Sequence, residues 1–202
     1  IYEPVYAIIW TTTPWTLPAS RAISINPEFE YVLIRFSAGM FILAKELVEK
    51  CIDMYMIKSF EIVAEFSRDL LSGLNAKHPF YDRDISIVSG SHVTLDEGTG
   101  LVHTAPAHGL EDFEIGLQND LEVDNILTDD GRFLESIPVV GGLTLGEANT
   151  RIIAELKVQK KLIRVDDHIH SYPVCWRHKT PIIYRATKQW FIRMDGGPDN
   201  VG

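Results

Sequence analysis

The chain has 202 residues, 46% hydrophobic and 23% charged, with 19 Lys+Arg against 28 Asp+Glu for a formal net charge of −9. That composition excludes a disordered or collagen-like chain, and a chain this long hides about 70% of its unfolded surface without any covalent staple. The charge is uneven: residues 61–135 carry 4 basic and 16 acidic side chains, which argues against wrapping nucleic acid by bulk electrostatics.

In chain order, Tyr6–Trp10 reads as a short strand that breaks into the polar loop Thr11-Thr12-Thr13-Pro14. Tyr31–Phe36 and Met40–Ala44 flank Ser37-Ala38-Gly39 and predict a hairpin. Lys45–Met56 has helical spacing through Leu47, Cys51 and Met54. Ile62–Phe66, Asp84–Val88, His92–Leu95 and Leu101–Thr104 are strand-like. Leu110, Phe113 and Leu117 fall at i, i+3 and i+7, so a short helix is expected from about Gly109. Thr144-Leu145-Gly146-Glu147 has capping-box spacing, with Ala148, Ile152 and Leu156 behind it, which predicts a helix from Thr144 to about Lys161. Leu162–Val165, Ile169–Pro173, Pro181–Arg185 and Trp190–Met194 read as strands or extended ribbon. The fold class is α+β, a curled, barrel-like sheet core with about three peripheral helices. Neither G-x-G-x-x-G nor G-x-x-x-x-G-K-[ST] occurs, so no nucleotide phosphate loop is expected.

Four constellations could carry chemistry. Thr11, Thr12, Thr13 and Thr16 beside Trp10 and Trp15 offer uncharged donors and acceptors suited to ribose hydroxyls; equally, they are β-branched residues before a proline turn. Gly98–Gly109 followed by Glu111-Asp112 brings two histidines and two carboxylates into ten residues, His103 to Asp112. Asp112 falls in the first turn of the expected helix, where the dipole favours a negative side chain. Helix-terminus dressing explains Glu111 and Asp112 as well. Zinc on His103, His108 and Asp112 fits no ligand spacing. His168, His170, Cys175 and His178 hold half of a zinc-knuckle pattern with the other half missing. No metal and no cofactor is expected. A serine or cysteine hydrolase lacks its G-x-S-x-G elbow.

Trp10-Thr11-Thr12-Thr13-Pro14-Trp15-Thr16-Leu17-Pro18-Ala19, with Gly98–Val102, His103-Thr104-Ala105-Pro106 and His108-Gly109, resembles the editing domain inserted into the catalytic domain of isoleucyl-tRNA synthetases. Tyr172–Pro181 and Tyr184–Thr187 resemble the segment leading back to that catalytic domain. Valyl and leucyl relatives carry Thr-Thr-Arg-Pro where this chain has Thr11–Pro14, which favours the isoleucyl branch. The resemblance implies one editing domain over 1–202, with 1–5 and about 170–202 connecting to a catalytic domain outside this sequence. The chain is therefore read as a piece of a longer, cytoplasmic polypeptide with no membrane partner. The HIGH and KMSKS signatures do not occur, so no amino-acid activation is expected of it.

The implied activity is hydrolysis of valine from the 3′ end of tRNA-Ile, with valyl-adenylate as a second substrate; the alternative is a module that binds that end without turnover. The resemblance places Asp112, Thr12, Thr13 and His103 in catalysis. It places Trp10, Thr11, Thr12, Thr13, Thr16, His103, Ala105, His108 and Asp112 against the substrate. Asp112 would pair with the α-ammonium, the threonines would hold the terminal adenosine and the water, and His103 would set the size limit.

Overall fold

The computed structural model describes residues 3–169, 171–192 and 194. In chain order it contains β1 (Val5–Ala7), β2 (Ala22–Ile25), β3 (Glu30–Phe36), β4 (Gly39–Ala44), α1 (Val48–Met54), β5 (Glu61–Ser67), β6 (Asn75–Lys77), β7 (Asp84–Ser89), β8 (Leu101–Thr104), α2 (Leu110–Gln118) and α3 (Leu145–Val158). The fold is α+β. Its strands form two four-stranded sheets, ordered β1-β4-β3-β5 and β6-β7-β2-β8.

The hairpin β3–β4 forms as the sequence predicts, Phe36 opposite Gly39, with Gly39 at φ +128°, a conformation that favours glycine. In the second sheet β2 is central, parallel to β7 and antiparallel to β8, so Ile23 faces His103 across the ladder. The main core lies where the sheets meet. Tyr31, Val32, Ile34, Phe41 and Leu43 of the first pack with Ile23, Ile25, Ile85, Ile87 and Leu101 of the second. Each such side chain, fully buried, contributes about 1.5–3 kcal/mol.

The turn before β8 stitches the sheets together. Ala44 N donates to Thr99 O (2.9 Å), Tyr31 Oη donates to Gly100 O (3.0 Å), and Thr99 Oγ1 donates to Ile8 O (2.5 Å). Gly100 is required there: it has φ +77°, and a Cβ would lie 2.3 Å from that of Ala44.

A second core cluster forms around α3, which starts with the expected capping box between Thr144 and Glu147 and buries Ala148, Ile152 and Leu156. These meet Trp15, Leu17 and Ala19 of a 3-10 helix, Pro14–Ala19. The loop expected at Thr11–Pro14 therefore leads straight into buried structure.

Three expectations are corrected. His92–Leu95 is turn and irregular backbone; Val93 is buried, with its carbonyl accepting from Asn26 Nδ2 at 2.7 Å rather than from a neighbouring strand. Lys45–Met56 divides into a 3-10 turn, Lys45–Leu47, and α1. α2 forms where the spacing predicts it; Leu110, Phe113 and Leu117 are exposed, and Ile115 and Gly116 are buried. Gly116 lies so near Pro106 that a Cβ would come within 2.8 Å of it. After α3 the described residues of the four expected strands are irregular apart from one bridge, Val174 to Pro181. His170 and Arg193, within two of those segments, lie outside the described residues. No helix among the described residues is long and apolar enough to cross a membrane.

Candidate functional site

The threonine segment sits between β1 and the 3-10 helix. Thr13 N donates to Thr11 Oγ1 (3.0 Å), which also lies 3.4 Å from Thr13 Oγ1, so the first and third threonines close a tight turn around the second. Thr16 Oγ1 donates to Thr13 O (2.9 Å) and lies 3.2 Å from His103 Nε2. A hydroxyl has one proton. Since Thr16 gives its proton to Thr13 O, His103 Nε2 must carry the proton between them, which leaves Nδ1 a bare acceptor. That Nδ1 is buried and has no hydrogen-bond partner among the described residues.

His108 reaches the same state by a different contact. Its Nδ1 lies 3.1 Å from Tyr184 O, which can only accept, so Nδ1 is protonated and the buried Nε2 is bare and unpartnered among the described residues. Its ring meets Trp15 edge-on at 5.1 Å. Burial pushes both imidazoles below the usual histidine range, and the charge of Asp112 opposes that on each. Both are therefore neutral acceptors beside a carboxylate.

Asp112 lies in the first turn of α2, and its Oδ2 accepts from Ala105 N at 2.8 Å. The segment 105–112 thus folds back so that the aspartate braces the end of β8. Gly109 makes room for it, since a Cβ there would lie 3.3 Å from Asp112 Cγ. Among the described residues Asp112 enters no ion pair. The structure thus joins Thr11, Thr13, Thr16 and His103 in one hydrogen-bonded chain, and Ala105, His108 and Asp112 in a second group that shares the field of one carboxylate.

A cleft of about 2140 Å³ opens beside them. Trp10, Thr11, Thr12 and His103 line it; Thr13, Thr16, Ala105, His108 and Asp112 do not. Of the zinc-like patterns, Cys175 Sγ and His178 Nδ1 approach to 3.5 Å, His168 lies instead against Trp10, ring to ring at 5.4 Å, and His170 is outside the described residues. Among the described residues no three His, Cys, Asp or Glu side chains group so as to hold a metal ion.

Several supports of the site are invisible to local sequence reading. Asn149 Oδ1 of α3 accepts from Trp15 N (2.8 Å) across 134 residues. Arg83 Nη2 donates to Pro18 O and Ser20 O, both at 2.7 Å, and His78 Nε2 donates to Leu17 O at 2.9 Å. Together they satisfy the end of the 3-10 helix that carries Thr16. Burial drives His78 down to about 4, with the Leu17 hydrogen bond opposing. The 184–186 ribbon is pinned onto the site loop by Tyr184 O, which accepts from His108 Nδ1, and by Ala186 N donating to Ala107 O (2.8 Å), while Arg185 donates to Thr128 O (2.7 Å) farther along the chain. Only the separation in the chain hid these contacts; no motif announces them.

Residues 8–150, which contain the threonine turn, β8 and Asp112, match the family model described as leucyl-tRNA synthetase, editing domain. The chain belongs to that editing-domain family. It is 48% identical over 203 residues to an isoleucine–tRNA ligase of Thiobacillus denitrificans, covering 100% of this chain and 22% of that protein. It is 50% identical over 190 residues to the isoleucine–tRNA ligase of Nitrosomonas europaea, covering 94% and 20%. The chain thus spans about a fifth of the length of these curated relatives. A crystal structure of the P. knowlesi cytosolic leucyl-tRNA synthetase editing domain has the same fold at TM-score 0.60 and 10% identity, covering 78% of this chain and 82% of that one.

Proposed function

We propose that this editing domain hydrolyses the ester between valine and the terminal adenosine of tRNA-Ile, and valyl-adenylate as a second substrate, while refusing isoleucine by size. The observation that carries the reading is the acceptor set on one short segment: a carboxylate with no ion-pair partner among the described residues, flanked by two buried imidazoles whose free nitrogens are acceptors. Such a set suits a cationic donor, and an α-ammonium is one.

Asp112 holds the ammonium and so fixes the ester carbonyl. Thr11, Thr12 and Thr13 hold the ribose hydroxyls and the attacking water; His103, its ring set by Thr16, borders the side-chain pocket. An aminoacyl ester is already activated, so orienting water and stabilising the oxyanion suffice. A selective second site is needed because one methylene separates isoleucine from valine by only about 1–3 kcal/mol in a binding pocket, a general limit for which isoleucyl-tRNA synthetases are themselves the usual worked example. In the longer polypeptide, residues 1–5 and about 170–202 connect the domain to a catalytic domain.

The test is calorimetric titration with a non-hydrolysable valyl-adenosine amide and with its counterpart lacking the α-amino group. The reading requires the amine-free compound to bind about 10- to 100-fold more weakly, the worth of one charge-assisted hydrogen bond. Equal affinities would overturn it.

A further inference from the structure

We propose that the ribbon Tyr184-Arg185-Ala186 is a positioning element of the site: docked, it holds the His108 proton on Nδ1, keeps a rival N–H away from the Asp112 carboxylate, and so leaves that carboxylate to the substrate's ammonium. The inference rests on the reading above. It adds residues that lie beyond 8–150, the region the family model matches.

Successive residues fix the ribbon to different partners. Tyr184 O accepts from His108 Nδ1 at 3.1 Å and Ala186 N donates to Ala107 O at 2.8 Å, so two alternate residues of the ribbon bond two consecutive residues of the site loop. Between them Arg185 donates to Thr128 O from Nη1 and to Asp129 Oδ1 from Nη2, both at 2.7 Å. Ile183 packs with the cluster that holds Trp15 and Ile152. Farther on the chain is open, with Trp190 99% exposed and Phe191 91%. Residues 183–186 therefore carry the attachment.

What the attachment decides is the place of one proton. The edge-on contact of His108 with Trp15 at 5.1 Å holds the ring but serves either tautomer. A backbone carbonyl only accepts, so a neutral imidazole facing it keeps its proton on that nitrogen. Among the described residues Tyr184 O is the ring's one hydrogen-bond partner, and the buried Nε2 has none. With Tyr184 withdrawn, nothing holds the proton on Nδ1, and the neutral ring can carry it on Nε2. The Asp112 charge acts on this ring, and an N–H on Nε2 would compete with the ammonium for the same anion. The bond to Ala107 O falls inside the fold that Asp112 closes on Ala105 N, so the ribbon and the carboxylate brace one loop.

The experiment reads the His108 tautomer from the NMR shifts of its ring nitrogens and, on the same samples, the affinity ratio between the valyl-adenosine amide and its amine-free counterpart. Ala186→Pro removes the N–H that Ala107 O receives. Arg185→Met keeps the stem but removes the donors to Thr128 and Asp129. Both variants are expected to replace the Nδ1-protonated ring with a mixed or Nε2-protonated one. Both should also lower the amine's advantage about 3- to 10-fold, with the amine-free compound binding as before. Ala186→Ser keeps the N–H and should restore both readouts, and Lys188→Ala, exposed on the same ribbon, should change neither. Circular dichroism checks folding; should Ala186→Pro not fold, Arg185→Met decides. An unchanged tautomer in the folded variants, or an altered tautomer with the amine's advantage intact, overturns the proposal. An unaltered chain with no amine advantage sinks the α-ammonium reading, while the tautomer still decides whether the ribbon sets His108.

Discussion

Thr16 and His103, 87 residues apart in sequence, are held 3.2 Å apart, and the hydroxyl decides which nitrogen of the imidazole carries the proton. One β-branched residue in a 3-10 turn thereby presets the face that β8 shows to the cleft. Thr16→Val keeps the shape but removes the acceptor, leaving a buried N–H unpaired at a cost of about 1–3 kcal/mol. Chemical denaturation should show that loss together with slower deacylation, and Thr16→Ser should recover most of both.

The size limit is expected to yield to truncation. His103→Ala or Thr13→Ala enlarges the space beside the threonine turn, so correctly charged Ile-tRNA should become a substrate while valine is still released. Deacylation assays on both aminoacyl-tRNAs check this. Continued protection of the isoleucyl ester in both variants counts against a size sieve at this place.

Stability should fall on mild acidification. His78 titrates near 4 in the folded chain against about 6.5 unfolded, and His103 and His108 are displaced in the same direction. A depressed histidine means that the unfolded chain binds more protons between those values, so stability is full above about pH 6.5 and declines as pH drops towards 4. At pH 5, His78 alone accounts for about 2 kcal/mol. Denaturant midpoints at pH 7 and pH 5 measure the loss, and His78→Gln should shrink it.

The support that α3 gives the site separates from its own stability. Thr144→Ala removes the N-cap and should cost about 1 kcal/mol, with deacylation intact wherever the chain stays folded. Asn149→Ala frees the N–H of buried Trp15, and deacylation should slow even at temperatures where circular dichroism shows native structure. Parallel melting curves and rate measurements on the two variants test the distinction.

What the sequence made legible was local. The capping box at Thr144 and the glycine turn between β3 and β4 announce themselves, because their hydrogen bonds close within a few residues. β2 gave no signal: Ala22–Ile25 is buried at every position, so there is no alternation to read, and its partners on both sides lie far along the chain. The period of α2 announced a helix but not which side it buries; Gly116, packed on Pro106, faces inward and the leucines outward. The same division runs through the site. The threonine turn and the His103–Asp112 segment were visible as motifs, whereas Asn149, His78 and Arg83 hold the turn from distant parts of the chain.

In the proposed reaction the Asp112 carboxylate anchors the amine of the misattached amino acid. Release of valine from Val-tRNA-Ile by Asp112→Ala and Asp112→Asn, with folding verified by circular dichroism, tests it most directly. A loss of about 10- to 100-fold or more is expected in both variants; hydrolysis at the unaltered rate by either folded variant would rule out the carboxylate as the amine's anchor.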